Sequence, residues 1–404
     1  MGSLSGDLPN ELVEEILLKL PAPFILSFKR VCKSWYNLLS SPCFLHLHSR
    51  NPHSSSQPFA LFHPSSHKKS PIFTISLKHH EHIMQLSEVP HCSPWMPRSI
   101  KCGNDILCIL TNRGAFCIVN PATGQSTCLP HIHGLRVVNF GFYFNPQNCK
   151  FKVLAMLSVR FIGGYKVFDS SIGKWVEPIK PLIFSSQELK SIGHTCYMYN
   201  RLNTRERIGF EMLKEGLNSI GHTGSMHNHF DTVELIGFDM LKEEVEIIPA
   251  PPKFLRECDD HVAVMEWDGG VSLAAVSLNL ELRLWALRKE KKWEKVVDAD
   301  LGELGLKRKS ENSYPYPKIV VGKDILMVYG DKMVSYGIES GKLNSLLSSE
   351  EGLCDGNFLS YKPTFLSWDY DAGEKEKESK GGKKKRNLAH SCPTVKRKKT
   401  SCMA

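Results

Sequence analysis

Two spacings of apolar residues divide the chain. From Leu8 to Phe44 they recur at helical intervals: Leu12, Val13, Ile16, Leu17 and Leu20 share one stripe, with Glu11, Glu14 and Glu15 outside it. Asp7 is placed to cap this helix, Pro9 suits its first turn, and Pro21 with Pro23 stops it. A second apolar set follows, made of Phe24, Leu26, Phe28, Val31, Cys32, Trp35, Leu38 and Leu39. A helix of about eleven residues is marginal alone in water, and chains below roughly 40–50 residues rarely bury enough surface by themselves. This apolar surplus therefore needs another protein, or the rest of the chain.

From Pro71 the pattern changes to short alternating strands broken by turn residues. One phrase recurs: a β-rich run, a turn of Asp, Asn or Gly type, then a second short run. It occupies Ala115–Gly124, Tyr165–Trp175, Glu234–Lys242, Leu282–Leu287 leading to Trp293, and Val334–Lys342. With Val119, Phe168, Phe238, Trp285 and Tyr336 as anchors the gaps are 49, 70, 47 and 51, and Phe73 precedes Val119 by 46. A period of about 40–50 residues, each unit a small antiparallel sheet, predicts a β-propeller of about six blades.

The long gap has its own cause. Residues 188–215 and 216–243 align without gaps with 17 of 28 positions identical, so removing one copy brings the 70-residue gap to 42. The tandem copy is expected to be a tolerated protruding loop, since loop insertions add little closure entropy; the alternative is an added β-hairpin that reshapes the recognition surface. Because the second copy runs directly into Val245–Pro249, it is expected to hold the native strand and the first copy to be the added piece. Upstream, Leu45–Lys69 reads as a connector rich in Ser, His and Pro, with one short strand at Phe59–Phe62.

Charge changes the picture only at one end. The chain of 404 residues carries a net +9, but Ala372–Ala404 holds eleven Lys or Arg against three Glu, so the rest is nearly neutral. A nucleic-acid-binding face on the folded part is not expected. The tail has a disordered composition. In it Lys383, Lys384, Lys385 and Arg386, then Lys396, Arg397, Lys398 and Lys399, flank a nine-residue spacer. Two such clusters resemble a bipartite nuclear import signal, whose lysines would meet acidic grooves of an import receptor.

Candidate chemistry is sparse. The thirteen cysteines never take Cys-x-x-Cys spacing and are expected to be reduced core thiols rather than zinc ligands. His46, His48, His53, His63 and His67, and His79, His80 and His82, lack partnering carboxylates or cysteines and are read as exposed loop histidines. No phosphate loop, nucleotide-binding glycine motif, Gly-x-Ser-x-Gly or His-Glu-x-x-His is present. Asp259, Asp260 and His261, and Asp298 with Asp300, are read as solvated turns without partners. No secretory signal or membrane-length apolar run is read, and Gly6 stands where a myristoylation signal needs Ser or Thr. Neither a cofactor nor a metal is expected, and the compartment is expected to be the nucleus, the cytoplasm or both.

Several phrases carry a resemblance. Leu8-Pro9 and Leu20-Pro21, Glu15-Ile16-Leu17 between them, and Val31-Cys32-Lys33-Ser34-Trp35 resemble an F-box. That resemblance implies a three-helix segment docking on the Skp-type adaptor of a cullin-based (SCF) ubiquitin ligase. It also implies that Leu8, Pro9, Ile16, Leu17, Leu20, Pro21, Leu26, Val31, Cys32 and Trp35 serve adaptor binding or F-box integrity, some of them in an internal core. Asn120–Gly124 followed by Leu129-Pro130 resembles the plant F-box-associated domain, as do Gly141–Asn145 with Phe151–Leu154, Ile236–Asp239 with Ile247–Pro249, and Leu282–Trp285 with Trp293. The glycine-then-His-Trp phrase usual before the Gly-Phe-Asp segment has no clean match, so that blade is expected to be irregular. A kelch propeller is the second architecture considered, on Gly163-Gly164 and Gly269-Gly270.

The expected organisation is an F-box over 1–49, a linker over 50–70, a propeller-like domain over 71–366, and a basic tail over 367–404. The expected function is a non-catalytic substrate receptor. Its F-box would hold the adaptor and, through it, cullin, while the propeller presents an unidentified target protein. A non-ligase scaffold and a nuclear nucleic-acid-associated protein acting through the tail are the alternatives. No membrane partner and no specific nucleic acid are expected.

Overall fold

The computed structural model describes residues 9–20, 22–50, 59–63, 72–78, 83–88, 97–158, 164–177, 189–202, 232–251, 262–307, 315–330, 332–346 and 356–370. All fall in one compact unit, Met1–Tyr370. Asp259–His261 lie outside the described residues.

Four helices open the described chain: α1 (Asn10–Leu18), α2 (Ala22–Phe28), α3 (Lys33–Ser40) and α4 (Pro42–Arg50). The N-cap of α1 is Pro9, whose extended backbone lets its carbonyl accept from Leu12 and Val13 at 3.0 and 3.1 Å. The expected cap, Asp7, lies outside the described residues. The helix ends at Leu18, three residues before Pro21, and closes in a tight turn in which Lys19 N and Leu20 N donate to Ile16 O and Leu17 O; Leu20, the residue preceding the proline, is disfavoured in the α region. Pro23 does not stop α1; it sits in the first turn of α2, where its missing N–H has no intrahelical acceptor to lose. Cys32 caps α3 by accepting from Trp35 N at 3.4 Å, and Ser41 Oγ accepts from Phe44 N at 3.2 Å as α4 begins. The fourth helix follows the three that the resemblance implies.

The remainder is strands. Those opening this region are β1 (Phe59–His63), β2 (Phe73–Lys78) and β3 (Ile83–Glu88). A second group is β4 (Pro97–Gly103), β5 (Ile106–Thr111), β6 (Phe116–Val119) and β7 (Ser126–Cys128). The third is β8 (Arg136–Asn145), β9 (Lys150–Ser158), β10 (Gly164–Asp169) and β11 (Lys174–Val176). Next come β12 (Lys190–Ile192), β13 (Thr195–Leu202), β14 (Thr232–Asp239) and β15 (Glu244–Pro249). The fifth group is β16 (Val262–Trp267), β17 (Gly270–Val276), β18 (Glu281–Leu287) and β19 (Trp293–Asp300). Then follow β20 (Tyr316–Val321), β21 (Asp324–Tyr329), β22 (Lys332–Gly337) and β23 (Leu343–Leu346), with β24 (Asn357–Tyr361) last.

Five sheets are each built of four consecutive antiparallel strands, and a sixth is assembled from both ends in the order β24-β1-β2-β3. In that closing sheet β24 pairs with β1 over five residues, from Phe59 opposite Tyr361 to His63 opposite Asn357. The leading strands β24, β4, β8, β12, β16 and β20 neighbour one another in a closed ring. This is a β-propeller. Its core is the set of apolar layers between adjacent sheets, heaviest between the second and third, where Phe116, Phe140, Phe142, Phe144, Phe151 and Phe168 are fully buried.

The recurring phrase is the third strand of a sheet, its turn, and the fourth strand. Val119, Phe168, Phe238, Trp285 and Tyr336 lie on β6, β10, β14, β18 and β22, and Phe73 begins β2. The turns are closed by carboxylate or amide oxygens: Asn120 Oδ1 accepts from Ala122 N, Asp169 Oδ1 from Ser171 N and Asp239 Oδ1 from Leu241 N, at 2.9, 2.7 and 2.8 Å. The tryptophans after the turn stitch one sheet to the one before. Trp175 Nε1 donates to Pro130 O and Trp293 Nε1 to Pro249 O, both at 2.7 Å.

The duplication is resolved differently from expectation. The first copy supplies β12 and β13, and the second supplies β14 and the turn into β15. The added length is thus the back of the first copy joined to the front of the second, within residues 203–231, which lie outside the described residues. The pairing of β13 with β14 thus takes one strand from each copy, and neither copy supplies the whole sheet. The sheet is four-stranded like its neighbours, though β12 has only three residues.

Other readings are also corrected. His48 and His63 are buried, not exposed loop residues. Asp298 lies on β19 rather than in a turn and has partners, Lys295 at 2.5 Å and Arg283 at 3.4 Å, which hold its carboxyl below the usual range. Asp300 Oδ1 caps the following turn by accepting from Gly302 N and Glu303 N. Cys108, Cys117 and Cys196 are core thiols, whereas Cys32 and Cys43 are exposed. Gly269 belongs to a two-residue hairpin at positive φ, which explains its doublet with Gly270 without a kelch repeat.

Candidate functional site

The stripe on α1 splits in two. Leu17 is buried, and Val13 and Leu20 pack beside it, so the i, i+4, i+7 ridge faces the helical core. Leu12 and Ile16, one position round the helix, point away and are 46% and 50% exposed. The core itself is Leu17, Ala22, Ile25, Leu39 and Phe44, flanked by Leu26, Phe28, Trp35 and Leu38. Trp35 meets Phe28 edge-on at 5.7 Å.

The residues singled out by the resemblance therefore fall into two sets. Leu17, Leu20, Leu26 and Trp35 serve the internal core. Pro9, Ile16, Val31 and Cys32 are exposed, Val31 at 62%. Leu8 and Pro21 lie outside the described residues, as do Lys383–Arg386 and Lys396–Lys399. Phe24, Tyr36 and Leu47 add to the exposed apolar set. Tyr36 escaped sequence reading because its neighbour Trp35 dominates the pattern, and a single helical step of about 100° separates core from solvent.

One core residue comes from the far end of the propeller. Phe365, four residues beyond β24, is buried in the helical core. Its ring meets the His48 ring at 5.1 Å and lies under Lys29 Nζ at 5.8 Å. His48 Nε2 bonds the Leu20 carbonyl at 2.7 Å, and burial lowers its pKa from the ordinary value. The strap carrying Phe365 is clamped by the propeller. Asn120, fully buried, donates through Nδ2 to Thr364 O and Leu366 O at 3.0 and 2.7 Å. Gln125 Nε2 donates to Trp368 O at 2.8 Å, and Asp105 Oδ1 accepts from Lys362 N at 2.7 Å. No local pattern in the sequence announces Phe365.

At the end of the ring where β4 meets β5, β16 meets β17 and β20 meets β21, the leading strands surround a cavity of about 660 Å³. Two-residue hairpins, among them Asn104-Asp105 and Asp268-Gly269, form its rim at positive φ. Its wall is polar and mixed in charge. Lys101 Nζ donates to Leu189 O at 2.5 Å. Burial pushes the Asp105 carboxyl up to about 6, helped by Glu266, while the backbone bond from Lys362 opposes it. Glu266 reaches solvent at the rim, yet burial against the wall still raises its carboxyl, with Lys190 pulling the other way. Among the described residues no group of three or more His, Cys, Asp or Glu is placed to hold a metal ion. No described helix is long and apolar enough to cross a membrane.

A short helical segment with several exposed apolar side chains thus precedes a propeller whose cavity has a polar wall of mixed charge. Comparison with known families makes this particular. Residues 6–47 match the F-box domain and residues 53–308 match the F-box associated beta propeller domain. The chain belongs to the F-box proteins with an F-box associated beta propeller domain, and neither family match is catalytic. Among curated relatives, it is similar to F-box protein At2g14710 of Arabidopsis thaliana, 28% identical over 42% of this chain and 43% of that protein. It is 51% identical to F-box protein At3g08750 of the same plant, over 11% of this chain and 12% of that one. A third, F-box protein At3g49450, is 30% identical over 38% and 42%. The chain thus spans less than half the length of these relatives.

Among solved structures, a chain of the nidogen/laminin complex matches with TM-score 0.42 and 9% identity, over 76% of this chain and 99% of that one. The SapL1 lectin in complex with alpha methyl fucoside matches at 0.38 and 9%, over 76% and 97%. These add nothing to the strand order already described.

Proposed function

We propose that this protein is the substrate-recognition subunit of an SCF-type ubiquitin ligase. The observation carrying the proposal is the division of the F-box helices into a core set and an exposed apolar set, with Ile16 and Val31 in the second. An exposed set this dense on so short a segment fits a face that a partner covers, and the partner an F-box implies is a Skp-type adaptor. The propeller would hold the target. Catalysis then resides elsewhere in the complex, and this chain contributes proximity, raising the effective concentration of a target lysine near the ubiquitin carrier. The exposed turn Asp268-Gly269 at the cavity rim would meet a protein target.

The test is capture of the adaptor by full-length protein carrying Ile16→Asp and Val31→Asp, with circular dichroism to verify the fold. Loss of capture with the fold intact is expected; undiminished capture sinks the proposal. Co-purification of cullin with the wild-type protein is expected, and an adaptor complex that never contains cullin would mark a non-ligase scaffold instead.

For the compartment, we propose import of the protein into the nucleus through the clusters Lys383–Arg386 and Lys396–Lys399, with a cytoplasmic pool. The support is their spacing in a basic tail attached to a nearly neutral body. Removing residues 372–404 should deplete the nuclear pool, and an unchanged distribution would defeat this reading. Salt-sensitive retention on nucleic acid that disappears with the tail would favour the nucleic-acid reading.

A further inference from the structure

Cys117 on β6 and Cys128 on β7 are directly opposed across two antiparallel strands, with their sulfurs 3.0 Å apart. The flanking bonds define what kind of pair this is. Leu129 N donates to Phe116 O, and Asn120 N donates to Gln125 O, each at 2.9 Å. Hydrogen-bonded pairs alternate with non-bonded ones along such a ladder, so Cys117 and Cys128 form a non-hydrogen-bonded pair. At such a pair opposing Cα atoms approach to about 4.5 Å. A disulfide accepts Cα separations of about 4.4–6.8 Å, so the sulfurs need only close by roughly 1 Å. Cys128 is partly exposed on the last strand of its sheet, and Cys117 is buried behind it.

We propose that Cys117 and Cys128 form an oxidation site that a hydroperoxide converts into a cross-strand disulfide. The more accessible Cys128, as thiolate, attacks the O–O bond of hydrogen peroxide; its sulfur becomes a sulfenic acid, and the departing hydroxide takes up a proton to leave as water. The Cys117 sulfur then displaces the sulfenic hydroxyl, which leaves with a proton as a second water. Two thiols and one peroxide give one disulfide and two waters; the sulfurs are oxidised and the peroxide oxygens reduced. A thiol reductant reverses the step by exchange.

The position gives the bond a consequence. The two cysteines stand at the base of the hairpin whose turn carries Asn120 and Gln125, the side chains that hold the carbonyls of Thr364, Leu366 and Trp368. Locking the register of β6 and β7 holds that clamp, and with it the strap that seats Phe365 among the F-box helices. Oxidation would thereby tighten the attachment of the F-box to the propeller.

The experiment treats full-length protein with hydrogen peroxide, blocks residual thiols and maps the peptides. The expected product links the peptides containing Cys117 and Cys128, lighter by two hydrogens than their sum, and disappears on reduction. Backbone amide exchange within 116–129 and 362–370 should slow on oxidation of the wild-type protein. It should not slow in Cys117→Ser or in Cys128→Ser; having both keeps the test usable if one folds poorly. Exposed Cys32 and Cys43 gauge the dose. Should they oxidise while Cys117 and Cys128 stay alkylatable after denaturation, or should Cys128 become sulfinic acid beside an intact Cys117, the site is overturned. A disulfide that forms without slowing exchange at 362–370 overturns the coupling to the strap.

Discussion

The F-box helices and the ring of sheets bury their apolar residues in opposite ways. Each sheet is sandwiched between two others, and the closing pair β24 and β1 leaves the ring without a free end. The helices have no such closure. Their core borrows Phe365 from the propeller and still leaves Leu12, Ile16, Phe24, Val31, Tyr36 and Leu47 in solvent. The much longer propeller exposes only eight large apolar side chains among its described residues. A ring can satisfy itself; a four-helix segment of this size cannot, and the proposed docking rests on that deficit.

The largest test of this contrast is Phe365→Ala. Truncating a buried phenylalanine should cost about 3–5 kcal/mol, and the loss should appear as faster amide exchange in α1 to α4 with the sheets unaffected. Equal acceleration in both regions would mean that Phe365 belongs to the propeller core instead. Next comes a pair of neighbours. Leu17→Ala should cost about 2–5 kcal/mol of stability, whereas Ile16→Ala should stay within about 1 kcal/mol while weakening adaptor capture. Comparable melting losses from the two would show that α1 does not divide its faces as described.

A third test addresses the propeller side of the junction. The Asp105 carboxyl has a folded pKa of about 6 against an ordinary 3.8, so the folded state binds its proton more tightly than the unfolded one. Its contribution to stability is complete below the unfolded value and is lost as pH rises through the folded one. Asp105→Asn keeps an acceptor for Lys362 N and removes the ionisation. At pH 7 it should therefore stabilise by at most about 3 kcal/mol, shrinking to nothing near pH 4. A variant less stable than wild type at pH 7 would show that the charge itself is needed at the clamp. The smallest effect is expected at Lys323→Ala, whose 2.5 Å pair with Glu339 lies on the exposed rim. Its removal should change stability by less than about 1 kcal/mol, and a larger loss in chemical denaturation would reveal a rim more buried than it is.

The repeating architecture was legible because each turn is written locally. Asn120, Asp169 and Asp239 close their own turns. Such short-range chemistry recurs whenever the residues recur, so a period could be read without coordinates. The duplicated stretch misled because related copies offer competing local signals and only strand pairing decides which half of each is used.

By itself, then, the sequence determined the two classes of structure, the repeat and the F-box signature. Each depends on residues within a few positions of one another. The strand at Phe59–His63, by contrast, read as part of a connector, belongs to the closing sheet of the propeller. Which F-box side chains face the core, the burial of His48 and His63, and the completion of that core by Phe365 were decided only by tertiary structure. These depend on contacts between segments more than three hundred residues apart in the chain. Hydrophobic burial is non-directional: it states that an apolar residue must be covered, and leaves to the fold which segment covers it.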